Sequence, residues 1–551
     1  MSEIKELNQL ADDTVKATAV DNAAFTSIQD AARATQAEHQ MGFLESLKVY
    51  RKGVAWSIML STAIVMEGFD LILLGGLIGF PAFEEQFGDL QPDGTYELSA
   101  TWQMALNMGS LVGQIVGLFL NGYIADRFGY RYTMMGGLIL IASFIFIPFF
   151  SHSIVQFLCG QILLGIPFGC FQTLACTYAS EVVPTQLRAY LTTYVNLCWV
   201  FGQIVASGLL RALVDRTDSW GYRIPVAVQW FWPIPLLIGC LFIPESPWWL
   251  VRQGKIEEAK RSLERLTTKT DSSFSVDETV AMIIYTDEHN KAISAGTSYL
   301  DCFKGFDLRR TEIVCMCWVS QVLSGSPLMG YSSYFYQQAG LDVSNAFTMT
   351  IAQFCLGGVG TICSWFLMGR AGRRTIYLSG QACMVVALLA IGFTSLAGRS
   401  NVSAQWAIGS LLLVFTFIYD CTVGPVCYTL VAELPSSRLR TKSVVLARNM
   451  YNLISIVATI ITPSMLNPTA WNWGAKCGFF WAGTCFLCLV WSFFRLPEPK
   501  GRTYAELDVL FEMKTPARKF RSTAANELEP ETLEEKSIMG HVEKAEKVEV
   551  A

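Results

Sequence analysis

Charged residues are scarce in this sequence of 551 residues. They make up 16% of the chain, and hydrophobic residues make up 52%, whereas about 25% of the residues of a soluble globular protein are charged. This deficit argues against an ordinary water-soluble protein. The net charge is only −5 and no basic tract is present, so nothing points to nucleic acid as a partner.

Motifs of the common enzyme classes are also missing. The sequence contains no HExxH, Walker or GxSxG motif, and it has only 4 histidines. Most of its 16 cysteines lie within apolar runs, where a free thiol behaves as a small hydrophobic group. We therefore expect no enzymatic activity, no disulfide framework, no metal site and no cofactor.

Long apolar segments are abundant, and each approaches the about 20 residues that a helix needs to cross a membrane. They fall at 54–80, 102–124, 133–150, 154–180, 190–212, 224–243, 311–336, 346–368, 375–396, 404–431, 443–465 and 474–495. This pattern predicts an all-α polytopic membrane protein with twelve transmembrane helices in two groups of six.

The polar segments divide the chain. We expect a disordered cytosolic tail over 1–45, a six-helix bundle over 46–244, a cytosolic linker with short helices over 245–309, a second bundle over 310–496 and a cytosolic tail over 497–551. The first forty residues lack the apolar core of a signal peptide. Within the linker, KIEEAKRSLERL (255–266) has its apolar residues at helical spacing.

Lysine and arginine residues in the short loops predict the orientation, because they are more frequent on the cytosolic side. Loops containing Arg131, Arg188, Arg374 and Arg440 alternate with loops that are acidic or nearly neutral. Both termini should therefore face the cytosol. The sequon at Asn401 falls in an expected outer loop, where glycosylation is topologically possible.

The two halves repeat three motifs in the same order. EVVPTQLR (181–188) is echoed by ELPSSRLR (433–440), PESPWWL (244–250) by PEPKGRT (497–503), and DRFGYR (126–131) by RAGRR (370–374). Repeated bundles of six helices place a binding site between them, near the middle of the membrane. The architecture therefore predicts a transporter.

These motifs resemble the sugar porter branch of the major facilitator superfamily. The resemblance covers about residues 45 to 512 and rests on GYIADRFGYR (122–131), PESPWWL, GPVCY (424–428) and PEPKGR. A narrower set is similar to the fungal maltose permeases: MEGFD (66–70), IPFGCFQTLACTYASEVVP (166–184), QWFWPIPLLIG (229–239), WNWGAK (471–476) and PARKFRST (516–523). The resemblance implies a proton-coupled importer of α-glucosides in the plasma membrane, whose partners are a sugar, protons and the bilayer, with no obligate protein partner.

Glu67 and Asp70 lie near the middle of the first apolar segment. Inserting a charged side chain there costs roughly 2.5–3.5 kcal/mol, and intramembrane acids are functional by default. The two residues are three apart and so share one helix face. Two acids so close in a low-dielectric environment repel each other, which favours one of them holding a proton. We therefore expect them to couple transport to protons.

A second charged pair is expected at Asp420 and Arg448. Counted along their helices, both residues fall at similar depth, so they could form a buried ion pair of either mechanistic or structural importance. The resemblance adds that many proton-coupled sugar porters have an arginine where this chain has Gln161. Maltose permeases commonly have a glutamate where it has Gln114.

Polar residues within apolar helices are the candidates for sugar binding, because sugar hydroxyls need amide and hydroxyl partners. We expect this role for Asn196, Gln203, Gln321, Ser326, Tyr428, Gln161, Gln353 and Asn452. Membrane Asn and Gln residues also hold helices together by hydrogen bonds, and that structural role remains open for each of them.

Charged residues recur at the inner ends of the helices: Asp126, Arg127, Glu181, Arg188, Glu245, Glu433, Arg440 and Glu498. By resemblance, we expect ion pairs here to tie the two halves together and to break when the transporter opens inward. Three functions remain open: an α-glucoside symporter, a transporter of another sugar (cellobiose or lactose, a raffinose-type oligosaccharide or a hexose), and a sugar sensor without transport.

Overall fold

A computed structural model describes the protein from residue 41 to residue 520 with short gaps. The gaps are 92–95, 217, 269–273, 295–297, 399–400, 437–438, 469, 501 and 503, and Asp30, Arg33, Ala34, Ala37, Glu38 and Thr523 are described in addition. Most of the expected disordered tail over 1–45, and more than half of the expected tail over 497–551, therefore lie outside the described residues.

The described residues from 41 to 244 form eleven helices and one short hairpin in the first half. They are α1 (Phe43–Val49), α2 (Arg51–Ser61), α3 (Ala63–Leu77), α4 (Pro81–Phe87), β1 (Asp89–Leu90), β2 (Tyr96–Glu97), α5 (Ala100–Phe128), α6 (Tyr130–Phe144), α7 (Phe146–Phe149), α8 (Ile154–Glu181), α9 (Thr185–Leu213), α10 (Trp220–Val228) and α11 (Pro233–Phe242), with a 3₁₀ turn at Gln229–Phe231. The strands pair antiparallel, with Asp89 opposite Glu97 and Leu90 opposite Tyr96.

The linker forms α12 (Pro247–Arg252), α13 (Ile256–Leu266), α14 (Val276–Ser294) and a 3₁₀ turn at Tyr299–Phe303. The helix expected from the apolar spacing of 255–266 is therefore present as α13. Its apolar side is buried and includes Ala259, Leu263 and Leu266.

The second half has the same plan. Its helices are α15 (Gly305–Leu323), α16 (Pro327–Gly330), α17 (Ser332–Gln338), α18 (Val343–Arg370), α19 (Arg373–Ser395), α20 (Val402–Cys421), α21 (Val423–Glu433), α22 (Arg440–Leu466) and α23 (Cys477–Arg495), with a 3₁₀ turn at Gly474–Lys476. After it come α24 (Tyr504–Glu512) and a 3₁₀ turn at Ala517–Lys519.

Eleven helical spans in the described part of the chain are long and apolar enough to cross a membrane. They match eleven of the twelve expected segments. The remaining segment, 311–336, is divided into α15, α16 and α17, because Gly325 adopts a φ of +98° that ends α15. Apolar side chains such as Phe231, Leu487 and Val386 are 67–69% exposed on the outside of the spans, as expected for a surface in contact with lipid.

The two halves meet along paired helices. In the first half α9 packs against α3, and across the interface it packs against α18 of the second half. On the other side of the molecule α5 packs against α8 and across the interface against α22. A space remains between these two contacts, near the middle of the spans.

Candidate functional site

A cavity of about 230 Å³ lies between the two halves, where a single water needs only about 10–15 Å³. Residues of both halves form its wall. From the first half these include Glu67, Asp70, Asn107, Gln114, Gln172, Asn196, Trp199 and Gln203; from the second they include Gln321, Ser326, Tyr331, Tyr419, Asp420, Tyr428, Arg448, Tyr451 and Asn452. The wall therefore combines carboxylates, amides, phenols and one guanidinium.

Glu67 is buried in the middle of α3 and is held by donors from two neighbouring helices. The indole Nε1 of Trp199 on α9 donates to its Oε2 at 3.2 Å, and the amide Nε2 of Gln172 on α8 donates to its Oε1. These contacts offset part of the cost of burying the carboxylate. They leave Glu67 at the cavity wall, where a proton or a ligand can reach it.

Asp70 lies one turn further along α3, and it is also buried. The amide Nε2 of Gln229 donates to its Oδ1 at 2.9 Å, and Gln161 lies against the same carboxylate. The structure thus brings Glu67 and Asp70 to one cavity, as their spacing predicts. It also gives Gln161, a candidate for sugar binding, a contact with Asp70.

The expected ion pair between Asp420 and Arg448 is not formed in the described structure. Nη2 of Arg448 donates instead to Oε1 of Gln172 in the other half, at 2.8 Å, and its guanidinium lies 4.7 Å from the ring centre of Trp318 and 4.6 Å from that of Tyr451. Asp420 faces Gly357 on α18. Equal depth along two helices was therefore insufficient, because their rotation turns the two side chains towards different neighbours.

The expected sugar-binding residues separate into two groups. Six of them line the cavity: Asn196, Gln203, Gln321, Ser326, Tyr428 and Asn452. Gln353 does not belong to the lining residues; it is fully buried and accepts a hydrogen bond from Tyr336 at 2.7 Å. Gln321 is partly engaged, since its Nε2 donates to the carbonyl of Gly424 at 2.8 Å.

Two polar groups of the cavity wall are buried without a hydrogen-bond partner in the described structure. They are Nδ2 of Asn452 and the hydroxyl of Tyr331. Leaving a buried donor unsatisfied costs about 1–3 kcal/mol. A ligand with several hydroxyl groups would provide hydrogen-bond partners for both atoms. Among the described residues, no cluster of three or more His, Cys, Asp or Glu side chains suited to a metal ion is found.

On the side that the sequence predicts to be the outer one, the cavity is closed by hydrogen bonds between the halves. The hydroxyl of Tyr334 on α17 donates to Oε1 of Glu97 at 2.8 Å, and Gln337 donates to the carbonyl of Gly79 at 3.1 Å. Nδ2 of Asn467 donates to the carbonyl of Leu98 at 3.3 Å. The structure is therefore a conformation in which the entrance on this side is shut.

Two of the charged residues expected at the inner helix ends form ion pairs in the described structure. Arg252 donates to Oε1 of Glu181 at 3.0 Å, and Arg373 donates to Oε1 of Glu433 at 3.3 Å. The described ion pairs of Glu181 and Glu433 do not join the two halves, since Arg252 ends α12 of the linker and Arg373 begins α19 of the second half. The expectation that pairs here tie the halves together until the transporter opens inward stays a prediction, because the entrance on the opposite side is shut in this conformation.

The other expected residues of the inner side have varied surroundings. Asp126 and Arg127 are exposed, and Arg127 donates to the hydroxyl of Tyr123 at 3.0 Å. Arg188 is half-buried near the start of α9, and the side chain of Arg440 lies outside the described residues. Glycosylation of Asn401 stays a prediction; the residue is exposed and caps α20.

Gln172, Gln229 and Trp199 are residues of the site that were not predicted from the sequence. Gln172 and Gln161 are eleven residues apart on α8, which is three turns and hence one face. That spacing could have identified Gln172. No comparable signal existed for Gln229, which reaches Asp70 from a 3₁₀ turn.

Comparison with known proteins gives consistent results. The model of the sugar (and other) transporter family matches residues 56–511. The general α-glucoside permease of Saccharomyces cerevisiae is 44% identical over 507 residues, which is 91% of this chain and 82% of the permease. The maltose permease MAL31 of the same yeast is 43% identical over 503 residues, which is 90% of this chain and 82% of that protein.

Solved structures show the same fold. The major facilitator superfamily proton:xylose symporter XylE, bound to 6-bromo-6-deoxy-D-glucose, matches with a TM-score of 0.68 and 20% identity, covering 84% of this chain and 99% of that one. A partially occluded inward-open form of XylE from E. coli matches with a TM-score of 0.66 and 19% identity, covering 82% and 99%. The resemblance and the twelve-helix major facilitator fold expected from the sequence are confirmed, and the chain belongs to the sugar (and other) transporter family.

Proposed function

We propose that this protein imports α-glucosides such as maltose together with protons. The observation that carries the proposal is the position of Glu67 and Asp70 on the wall of a cavity shared by both halves. The relatives named as α-glucoside and maltose permeases, at 42–44% identity, support the class of sugar. A secondary transporter of this kind uses the proton gradient and needs neither a cofactor nor a catalytic group.

The substrate would bind in the cavity through the amides and phenols of its wall. Asn196 and Gln203 belong to the first half, and Gln321 and Asn452 to the second. Because one sugar would contact both halves, its binding would favour the conformations in which the halves approach each other. Tyr428, Tyr451 and Trp199 offer aromatic rings for the apolar faces of the sugar.

Glu67 and Asp70 would take up the transported protons from the outside and release them inside. Their hydrogen-bond partners are amides and an indole. The cation Arg448 is connected to Glu67 by the side chain of Gln172, which contacts both residues. Asp420 is a further carboxylate on the cavity wall. We include it among the proton-binding candidates, without the ion pair to Arg448.

The organisation that we propose consists of two transport bundles, 46–244 and 310–496, joined by a cytosolic linker, 245–309. Both termini would face the cytosol and the protein would reside in the plasma membrane. At the inner face, Glu245 and Glu498 would hold the loops after α5 and α18, since each accepts hydrogen bonds from two backbone N–H groups.

The test is expression of the full chain in a yeast strain that lacks sugar uptake. Growth and uptake are measured on maltose, cellobiose, lactose, raffinose and glucose, while the pH of a weakly buffered medium is recorded. We expect maltose uptake with a transient rise in external pH. Uptake of another sugar with the same pH rise would change the substrate and retain the mechanism, whereas no uptake of any sugar by protein at the cell surface would contradict the proposal.

A further inference from the structure

Gln172 on α8 joins the carboxylate of one half to the cation of the other. Its Oε1 accepts from Nη2 of Arg448 at 2.8 Å. Its Nε2 donates to Oε1 of Glu67 and to Oε1 of Gln114, the latter at 3.2 Å. One amide group therefore links α3, α5 and α8 of the first half to α22 of the second.

The orientation of this amide follows from the chemistry of its partners. A guanidinium can only donate hydrogen bonds, so the oxygen of Gln172 must face Arg448 and its nitrogen must face Glu67. This arrangement suits an ionised Glu67, which accepts on both oxygens. The second oxygen of Glu67 faces the indole N–H of Trp199, at 3.2 Å, and an indole also can only donate.

A proton on Glu67 disturbs this pairing of hydrogen-bond donors with acceptors. The new O–H group needs an acceptor, and both hydrogen-bond partners of the carboxylate present N–H groups to it. Trp199 has no acceptor to offer, whereas Gln172 has one if its amide turns over. The turned amide would present its NH₂ group to Arg448, so two donors would face each other and the hydrogen bond between the halves would be lost. Its oxygen would then face Oε1 of Gln114, so the amide of Gln114 would turn with it.

Arg448 would then need another acceptor within the cavity. Its guanidinium lies 4.7 and 4.6 Å from the ring centres of Trp318 and Tyr451, and these contacts oppose a movement that would follow the amide. Arg448 lies on the cavity wall, where a sugar hydroxyl can accept a hydrogen bond from its N–H groups. The other ionisable groups that face Glu67 are Asp70 on the same helix and the thiol of Cys176 on α8.

We propose that Gln172 is a positioning residue that links protonation of Glu67 to sugar binding, by turning its amide from Arg448 towards the protonated carboxyl group. This inference rests on the proposed proton-coupled transport and identifies the group that connects proton and sugar. It predicts that the proton and the sugar strengthen each other's binding, and that this coupling is lost when the amide of Gln172 is removed.

The matched substitutions are Gln172→Met and Gln381→Met. Methionine has about the same length as glutamine and lacks both polar groups. Gln381 is fully buried in α19, is not among the residues of the cavity wall, and its side-chain amide has no hydrogen-bond partner in the described structure. Full-length wild-type and variant proteins are reconstituted in liposomes, and maltose binding, maltose exchange and accumulation driven by a pH gradient are measured.

We expect wild type and Gln381→Met to bind maltose about fivefold or more tightly at pH 5 than at pH 8, a typical size for coupling between two ligands. Gln172→Met should still exchange maltose, but its affinity should change less than about twofold over this range, and it should not accumulate the sugar. Gln172→Leu is the second variant in case Gln172→Met does not insert; leucine also lacks both polar groups and should abolish the pH dependence in the same way.

Wild-type pH dependence and accumulation in Gln172→Met, or in Gln172→Leu if Gln172→Met does not insert, would overturn the role of Gln172 and leave the proposed function intact. Absence of accumulation in wild type would contradict the proposed function itself. The two failures are therefore distinguishable in one set of measurements.

Discussion

Glu245 and Glu498 hold equivalent loops in the two halves. Glu245 accepts the backbone N–H groups of Tyr130 and Arg131 at 3.0 and 3.1 Å, and Glu498 accepts those of Arg373 and Arg374 at 2.8 and 3.1 Å. The repeat found in the sequence therefore corresponds to a repeated interaction. Each carboxylate fixes the junction between two consecutive helices.

Replacing either carboxylate should destabilise the protein to a similar extent. In Glu245→Gln and Glu498→Gln, one acceptor becomes a donor that faces a backbone N–H, at a cost of roughly 1.5–3 kcal/mol. We expect both variants to lower the midpoint of thermal unfolding in detergent. The control is Glu257→Gln on the linker, where 79% of the side chain is exposed; it should leave the unfolding midpoint unchanged. A lower midpoint for only one of Glu245→Gln and Glu498→Gln would argue against equivalent roles.

Asp420 and Arg448 should act independently, because they do not form an ion pair. We expect Arg448→Gln to reduce the initial rate of maltose uptake strongly, since the mutation removes the hydrogen bond to Gln172. In the double variant Asp420→Asn/Arg448→Gln, the factors by which the two single substitutions lower the uptake rate should multiply, as they do for residues without a shared interaction. Rates are normalised to the amount of protein at the cell surface. Recovery of uptake in the double variant would indicate a direct pair.

Tyr334→Phe should weaken the closure of the outer side. The mutation removes the hydrogen bond from Tyr334 to Glu97, which joins the two halves at 2.8 Å, and a hydrogen bond to a charged group contributes about 1.5–3 kcal/mol. The outward-open population should therefore rise about tenfold or more, by the same estimate. Distances between spin labels on α4 and α17 measure this change.

Tyr336→Phe is the control for this experiment. Its hydroxyl donates to Gln353 within the second half, at 2.7 Å, so its loss should not favour the open state. An equal shift of the distance distribution in both variants would mean that the bond between Tyr334 and Glu97 does not hold the outer side shut.

Glu84 on α4 should make stability depend on pH. Burial, and then the nearby Glu97 carboxylate, raise the pKa of Glu84 to about 8. An acid whose pKa is raised in the folded state favours folding at low pH. This contribution is complete below the ordinary pKa of 4.5 and is lost as pH rises through about 8.

The measurement is the midpoint of thermal unfolding in detergent at pH 5 and pH 8.5. Wild type should lose more stability than Glu84→Gln between these values, by more than about 1 kcal/mol, since a tenfold change in proton affinity corresponds to about 1.4 kcal/mol. Glu85→Gln, at an exposed neighbour on the same helix, should behave as wild type. Identical pH profiles for wild type and Glu84→Gln would refute this effect.

The spans were predictable because crossing a membrane requires long apolar segments. The segment expected at 154–180, for example, forms α8 over Ile154–Glu181. The shared face of Glu67 and Asp70 was also predictable, since helical spacing fixes which residues of one helix lie side by side.

Contacts between helices were not predictable in the same way. Distance along a helix gave the depth of Arg448 but not the direction of its side chain, which packing against Trp318 and Tyr451 determines. Gln353 likewise has the polarity of a binding residue, yet it faces Tyr336. The rotation of each helix about its axis depends on its neighbours in the fold.

Accumulation of maltose in liposomes driven by an inward proton gradient tests proton-coupled transport most directly. We expect wild type to concentrate maltose until a protonophore is added, while Glu67→Gln and Asp70→Asn exchange maltose but accumulate at least about tenfold less, a loss of about 1.4 kcal/mol in driving force. Maltose uptake by wild type that never exceeds equilibrium and does not respond to the protonophore would contradict proton coupling.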